Sequence, residues 1–288
     1  MKAALRSALE AALGASITGA SPISGGDIND AHGVTLADGR RYFVKSNDQA
    51  DSRMFPAEAR GLAWLADARA LRVPAVVAVS QEGAEEPYLV LELLESRPRV
   101  RDFDERFGRG LAALHRSGAP RFGLEYDNFI GRLPQSNRAH PTWAEFYRDE
   151  RLLPQLEMAR RARRATARME RGFETLFARL PELVGPEEPP SRVHGDLWGG
   201  NLHVDDVGGP CLIDPAPHGG HRELDLAMMC LFGGFSSRVF DAYAEAFPLS
   251  PGEPERVALY QLYFLMVHVN LFGGSYGASA ESALASYG

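Results

Sequence analysis

The sequence predicts an α+β chain in two parts, a small antiparallel β-sheet with one helix over residues 1–94 and a larger, mainly helical part over residues 95–288. Three observations carry this expectation. Short apolar runs separated by turn residues fill the first third, and apolar residues recur at helical spacing after Leu94. Between the later helices, Arg192–Pro217 breaks that spacing with short apolar runs, glycines and acids. Irregular segments set in a helical scaffold are where chemistry usually sits.

Taken in order, residues 2–13 read as an amphipathic helix, and Ile17–Ile23, Ala31–Leu36 and Arg41–Val44 as strands. Ala37-Asp38-Gly39-Arg40 supplies the Asp-Gly hairpin signal between the last two. A helix follows from Pro56, a residue favoured at helix starts, to Ala70, and Val76–Val79 and Tyr88–Leu93 complete a five-stranded sheet. The boundary falls near Glu95–Pro98. Beyond it the spacing predicts helices over Phe103–Ser117, Thr142–Arg164, Thr166–Leu180, Glu223–Phe232, Ser236–Phe247, Glu253–Leu271 and a tail from Ala278.

Composition narrows the function. Of 288 residues, 45% are hydrophobic and 24% charged, the balance of a folded globular protein. A net charge of -7 disfavours broad capture of nucleic acid, so no nucleic-acid partner is expected. Cys211 and Cys230 are too few for a disulfide framework, which points to a reducing compartment, the cytoplasm. The first residues lack the apolar core of a signal peptide. Val257–Phe272 is broken by Gln261, His268 and Asn270 and is too short to span a bilayer, so no membrane partner is expected either. A monomer is the working assumption.

The segment His194-Gly195-Asp196-Leu197-Trp198-Gly199-Gly200-Asn201 leads into Leu202-His203-Val204, a Gly-rich acidic turn, and Cys211-Leu212-Ile213-Asp214. The two apolar triplets predict a hairpin, whose closure brings Asn201, just before it, towards Asp214, just after it. An amide oxygen and a carboxylate are hard ligands suited to Mg²⁺, which takes its remaining ligands from water and substrate phosphates. Asp196 then becomes the candidate base for a hydroxyl nucleophile. The Asp-x4-Asn spacing followed by a hairpin and Asp is the catalytic pattern of protein kinases and their small-molecule relatives. Lys45 ends the run Tyr42-Phe43-Val44, the place of the kinase lysine that holds ATP phosphates. Glu58 shares a helix face with Leu62 and Leu65, so it points inward and needs a partner, for which Lys45 is the candidate. Ser24-Gly25-Gly26 supplies a turn at which Gly25 and Gly26 let backbone approach phosphates closely.

His194-Gly195-Asp196-Leu197-Trp198-x-Gly200-Asn201, Ile213-Asp214-Pro215-Ala216, Gly220-His221-Arg222-Glu223-x-Asp225-Leu226-Ala227-Met228 and Leu231-Phe232-Gly233-Gly234-Phe235 together resemble the fructosamine/ketosamine 3-kinase family. The resemblance covers nearly the whole chain, including Phe43-Val44-Lys45, Met54-Phe55 with Glu58, Trp143 with Phe146-Tyr147, and Leu259–Tyr263. It implies a bilobal protein-kinase-like fold with ATP between the lobes, and phosphorylation of the C3 hydroxyl of ketosamines, freeing the amine when the unstable 3-phosphate decomposes. It places adenine against the strand end Leu91-Glu92-Leu93-Leu94, with Glu92 and Leu94 as contacts, and the acceptor near Trp198, His218, His221 and Glu223. Asp225 is either a helix-start acid or, by its place in the motif, a brace for the catalytic loop. Gly199, Asp27 and His218 stand where relatives commonly have Ser, Cys and Tyr; the last of these bears on the sugar pocket.

The expected partners are therefore a small-molecule ketosamine or a glycated protein lysine, with ATP and Mg²⁺ as cofactors. One alternative is an aminoglycoside- or choline-kinase-like phosphotransferase using the same centre. The other is a catalytically silent nucleotide- or sugar-binding scaffold, against which the full set Lys45, Glu58, Asp196, Asn201 and Asp214 argues. His218, His221 and Cys211 fit no standard zinc spacing. The arginines at 160, 161, 163, 164, 168 and 171 read as a solvated helix surface, with an anionic partner as the alternative.

Overall fold

Leu5, Leu9 and Leu13 recur every fourth residue, and the structure turns that spacing into a helix, α1 (Ala3–Leu13), with all three leucines buried. This computed structural model describes residues 1–23, 29–95 and 97–288. It divides into two compact units, Met1–Phe103 with Leu202–Asp214, and Asp104–Asn201 with Pro215–Gly288. Among the described residues no helix is long and apolar enough to cross a membrane.

The first unit is built on a five-stranded antiparallel sheet. Its strands are β1 (Ile17–Pro22), β2 (Asp30–Leu36), β3 (Arg41–Ser46), β4 (Val76–Val79) and β5 (Tyr88–Glu92), in the spatial order β1-β2-β3-β5-β4. Because β5 inserts beside β3, β3 becomes a central strand, and its Val44 and Lys45 are buried. The α1 leucines pack with Ile17, Val34, Leu36, Val44 and Val90 in one core, each burial contributing on the order of 2 kcal/mol. Helix α2 (Met54–Ala66) packs on β4 and β5 through a buried face that includes Phe55, Leu62 and Leu65. It starts two residues before the expected Pro56, which a proline in the first turn permits. It ends at Ala66 rather than Ala70, because Arg69 takes a left-handed φ of 51° that no helix continues through.

The same unit holds the hairpin of Leu202–Val204 and Pro210–Leu212, with Leu202 opposite Leu212. Asp205 shapes its turn, one carboxylate oxygen accepting the N–H groups of Val207 at 3.0 Å and Gly209 at 2.7 Å.

The second unit is helical: α3 (Phe103–Arg116), α4 (Trp143–Phe146), α5 (Leu153–Arg161), α6 (Ala167–Leu183), α7 (Glu223–Phe232), α8 (Ser237–Ala246), α9 (Glu253–Leu271) and α10 (Tyr276–Ala285). Helix α9 is buried over most of its surface, with Leu259, Leu262, Phe264 and Met266 fully buried, and it packs on α5, α7 and α10. The single helix expected over Thr142–Arg164 is not continuous: Tyr147–Leu152 forms a π-helical turn between α4 and α5. Pro154 has no N–H to return to the Glu150 carbonyl, which instead accepts a bond from the Arg151 guanidinium at 2.9 Å.

That guanidinium is fully buried and begins a polar network reaching the segment after Asp214. Arg151 donates to Asn137 Oδ1 at 2.7 Å, Asn137 donates to Asn128 Oδ1 at 2.8 Å, and Asn128 donates to the Pro217 carbonyl at 2.9 Å. Gln135 donates to the Ala216 carbonyl at 3.2 Å while accepting from Tyr263 at 2.5 Å. Two short ladders that the sequence does not predict frame this network, Asn128–Ile130 with Leu133–Gln135 and Ser191–Val193 with His218–Gly220.

Replacing Arg151 by Ala leaves the Asn137 and Glu150 oxygens buried without their donor. It should lower unfolding stability by about 2–4 kcal/mol in chemical denaturation. A loss below about 0.5 kcal/mol contradicts this account of the π turn.

Candidate active site

The first unit concentrates charge at the end of β3. Lys45 Nζ donates to Glu58 Oε1 at 2.7 Å and to Asp214 Oδ1 at 2.5 Å. Central-strand burial fixes the lysine, the inward face of α2 presents Glu58, and the hairpin delivers Asp214. Burial by itself pushes the Lys45 ammonium down, but the charges of Glu58 and Asp214 together outweigh it and hold the group protonated, above its ordinary range. Asp214 sits at a left-handed φ of 54°, a conformation Asp tolerates better than most residues, and its side chain is 40% exposed. A half-exposed carboxylate beside a buried ammonium has the hard oxygen chemistry that Mg²⁺ requires. Gly25 and Gly26 lie outside the described residues.

Glu92 is engaged in bracing the end of β5. Its carboxylate accepts the Ala75 N–H at 2.9 Å and pairs with Arg72 at 3.0 Å, and its own N–H goes to the Ala75 carbonyl. Leu94 follows, half-buried.

The second unit carries the loop His194–Asn201. Its backbone is held by Asp225, fully buried at the start of α7, which accepts the N–H groups of His194 at 2.7 Å and Gly195 at 2.9 Å. His115 Nε2 stands 3.1 Å from the same carboxylate, and His115 Nδ1 pairs with the Tyr243 hydroxyl at 2.8 Å. Burial pushes the Asp225 carboxyl up, yet these hydrogen bonds and the nearby histidines bring it below the usual carboxylate range, so it remains an acceptor. Of the two roles read for Asp225, the geometry is that of a brace. Gly195 turns the loop with φ 82°, where a Cβ would stand 2.0 Å from the Ala216 carbonyl oxygen.

Asp196 comes next, half-buried, its N–H donating to His194 Nδ1 at 3.3 Å. Asn201 donates through Nδ2 to the Asp196 carbonyl at 2.8 Å and reaches the Asp196 carboxylate at 3.4 Å. The amide oxygen of Asn201 is a hard oxygen donor, the type Mg²⁺ takes alongside a carboxylate and phosphates. Trp198 is 43% exposed and its indole lies over Gly200, where a Cβ would meet the ring at 2.2 Å.

A family model described as fructosamine kinase matches residues 1–287. The chain belongs to that family. A probable ketoamine kinase of Synechocystis sp. is 41% identical over 91% of this chain and 88% of its own length. A chloroplastic protein-ribulosamine 3-kinase of Oryza sativa subsp. japonica is 35% identical over 94% and 79%. A crystal structure from Thermobifida fusca, provisionally named a fructosamine-3-kinase, superposes with a TM-score of 0.88 at 38% identity, covering 98% of this chain and 97% of that one. An aminoglycoside phosphotransferase superposes with a TM-score of 0.64 at 15% identity over 100% of both chains, a likeness of fold. This fructosamine kinase family member is an ATP-dependent phosphotransferase with a protein-kinase-like fold.

In this fructosamine kinase chain three residues expected near the acceptor lie in the interior. Both Glu223 oxygens are bound by Arg256, at 2.7 and 2.6 Å. His221 is 2% exposed and stacks on Tyr260 with ring centroids 5.4 Å apart. His218 is fully buried against Phe146. Within the basic cluster, Arg160 pairs with Glu170, Arg161 with Glu157 and Arg168 with Glu281, and Arg164 donates to the Val269 and Asn270 carbonyls. Neither His115 nor Arg72 carries a signal in the sequence, because their partners are distant along the chain.

Burial pushes the His221 imidazole down to about 4, against the opposing pull of Glu188 and with Arg222, Arg256 and His115 also acting to lower it. An unfolded histidine titrates near ~6.5, so as pH falls the unfolded chain takes the proton first and stability is lost between those two values. At pH 5.5 this group alone should cost about 1.4 kcal/mol relative to pH 7.5. Denaturation at both pH values should show a loss smaller by about 1 kcal/mol in His221→Gln than in the parent; equal losses would contradict the buried neutral state.

Proposed function

We propose that this chain transfers the γ-phosphoryl group of ATP to the C3 hydroxyl of ketosamines, the ribulosamine and fructosamine adducts of free amines or protein lysines. The observation that carries the reading is the match of the whole chain to the fructosamine kinase family, with relatives named ketoamine kinase and protein-ribulosamine 3-kinase. Residues 1–94 serve as the nucleotide-binding lobe and residues 95–288 as the catalytic and substrate-binding lobe. Two unpaired cysteines, Cys211 with its thiol pushed up by burial to about 12, support a cytoplasmic setting.

Lys45, kept cationic by Glu58 and Asp214, binds the α- and β-phosphates. Asp214 and Asn201 are the oxygen donors that would hold Mg²⁺, and a bound Mg²⁺ supplies neutralisation of phosphate charge. Asp196 orients the acceptor hydroxyl and takes its proton as the oxygen bonds to the γ-phosphorus and the bond to ADP breaks. The Asp225 bonds to His194 and Gly195 keep Asp196 in place at the moment of transfer. Trp198, half-exposed beside Asp196 in the chain, gives the acceptor an aromatic face. The ketosamine 3-phosphate then decomposes and frees the amine.

The test is ³¹P NMR of the product with ribulosamine and fructosamine derivatives of lysine, choline and an aminoglycoside as acceptors. A sugar 3-phosphate from the ketosamines alone is expected, and turnover confined to choline or the aminoglycoside would replace the acceptor. Asp196→Ala should keep nucleotide binding while lowering kcat by about 100-fold or more. Unchanged turnover would remove Asp196 from the base role.

A further inference from the structure

Arg72 lies between α2 and β4, outside every motif singled out in the sequence, yet it is the meeting point of three carboxylates of its own unit. Its guanidinium donates to Glu92 at 3.0 Å, stands 3.2 Å from Asp205 and pairs with Asp206. Its main-chain carbonyl accepts the Leu212 N–H at 2.8 Å, and the residue bridges Cys211 in parallel. The side chain therefore grips the turn of the Leu202–Leu212 hairpin, while the main chain grips the strand that ends two residues before Asp214. Asp205, 4% exposed and already shaping that turn, passes the grip into the hairpin backbone. Glu92 anchors the other side, because its second oxygen is bonded to the Ala75 N–H. An isolated surface ion pair contributes little, but a planar fork shared among several carboxylates and backed by a main-chain bond fixes geometry.

We propose that Arg72 is a positioning residue for Asp214, clamping the hairpin so that this carboxylate is held at Lys45. The inference rests on reading Asp214 as a metal-holding carboxylate, and it assigns the upkeep of that geometry to a residue outside the Lys45–Glu58–Asp214 cluster itself. Without Arg72, the negative charges of Glu92, Asp205 and Asp206 face one another unneutralised and drive the turn from the end of β5. Lysine, a point charge without the fork, restores only part of the clamp.

The experiment uses the full chain as Arg72→Ala, Arg72→Lys and Asp206→Asn, with two readouts. The first is amide hydrogen exchange of residues 202–214 without ligands; the second is ATP binding by calorimetry with and without Mg²⁺. In Arg72→Ala, exchange in the hairpin should rise about tenfold or more while β1 and β2 keep their protection. Mg²⁺-dependent ATP binding should weaken by about tenfold or more. Arg72→Lys should fall between Arg72→Ala and the parent, and Asp206→Asn should give the same signature more weakly. If Arg72→Ala does not fold, the other two variants decide, and unchanged hairpin exchange in both overturns the proposal. Loosened exchange with parental Mg²⁺-dependent binding also overturns it, since the clamp would then be structural only. A parent protein whose ATP binding ignores Mg²⁺ instead overturns the metal reading of Asp214, a failure distinct from that of the clamp.

Discussion

A single buried ammonium shared by two carboxylates is the constraint on which the first unit depends. Removing Lys45 Nζ from water is unfavourable by several kcal/mol, and the paired charges of Glu58 and Asp214 offset it. The three elements that supply these groups, β3, α2 and the hairpin, are thereby fixed to one another more tightly than apolar packing alone would require. The arrangement also leaves one net negative charge in the cluster. Under the proposed function, that charge would oppose a bare triphosphate and favour a metal-nucleotide complex over nucleotide alone.

The second unit solves a different problem with the same logic. The proposed catalytic loop must be irregular enough to present Asp196 and Asn201, yet irregular backbone inside a protein strands its N–H groups. Asp225 collects two of them, His115 and Tyr243 continue the network, and Gly195 allows the backbone to pass the Ala216 carbonyl. The Arg151 network holds the chain on the far side of Asp214, through Ala216 and Pro217. Both segments are thus held by buried polar side chains bonded to backbone, which gives rigidity without a regular element.

What the sequence made legible was local. Alternation and an Asp-Gly turn marked the sheet, and i, i+4, i+7 spacing placed Glu58 inward, where Lys45 meets it. The hairpin was readable because its two apolar triplets flank a turn. Long-range polar contacts were not readable: Arg72 and Asp206 are 134 residues apart, and His115 and Asp225 110 apart, with no periodicity to betray either. The π turn escaped because apolar spacing hardly distinguishes it from α-helix, and Pro154, which withholds the N–H from the Glu150 carbonyl, also fits an ordinary helix start. His221 and Glu223 sit close in sequence to the proposed catalytic residues, yet an aromatic stack and a buried ion pair with Arg256 engage them, and such burial has no one-dimensional signature.

The central claim, that Asp214 makes nucleotide binding depend on a divalent cation, is tested most directly by calorimetric ATP titration of the parent and Asp214→Asn, each with and without Mg²⁺. Neutralising Asp214 removes a repulsion and a ligand together. The account predicts that the variant binds metal-free ATP at least as well as the parent but gains nothing from Mg²⁺. A variant whose affinity still rises with Mg²⁺ as steeply as the parent's would contradict it.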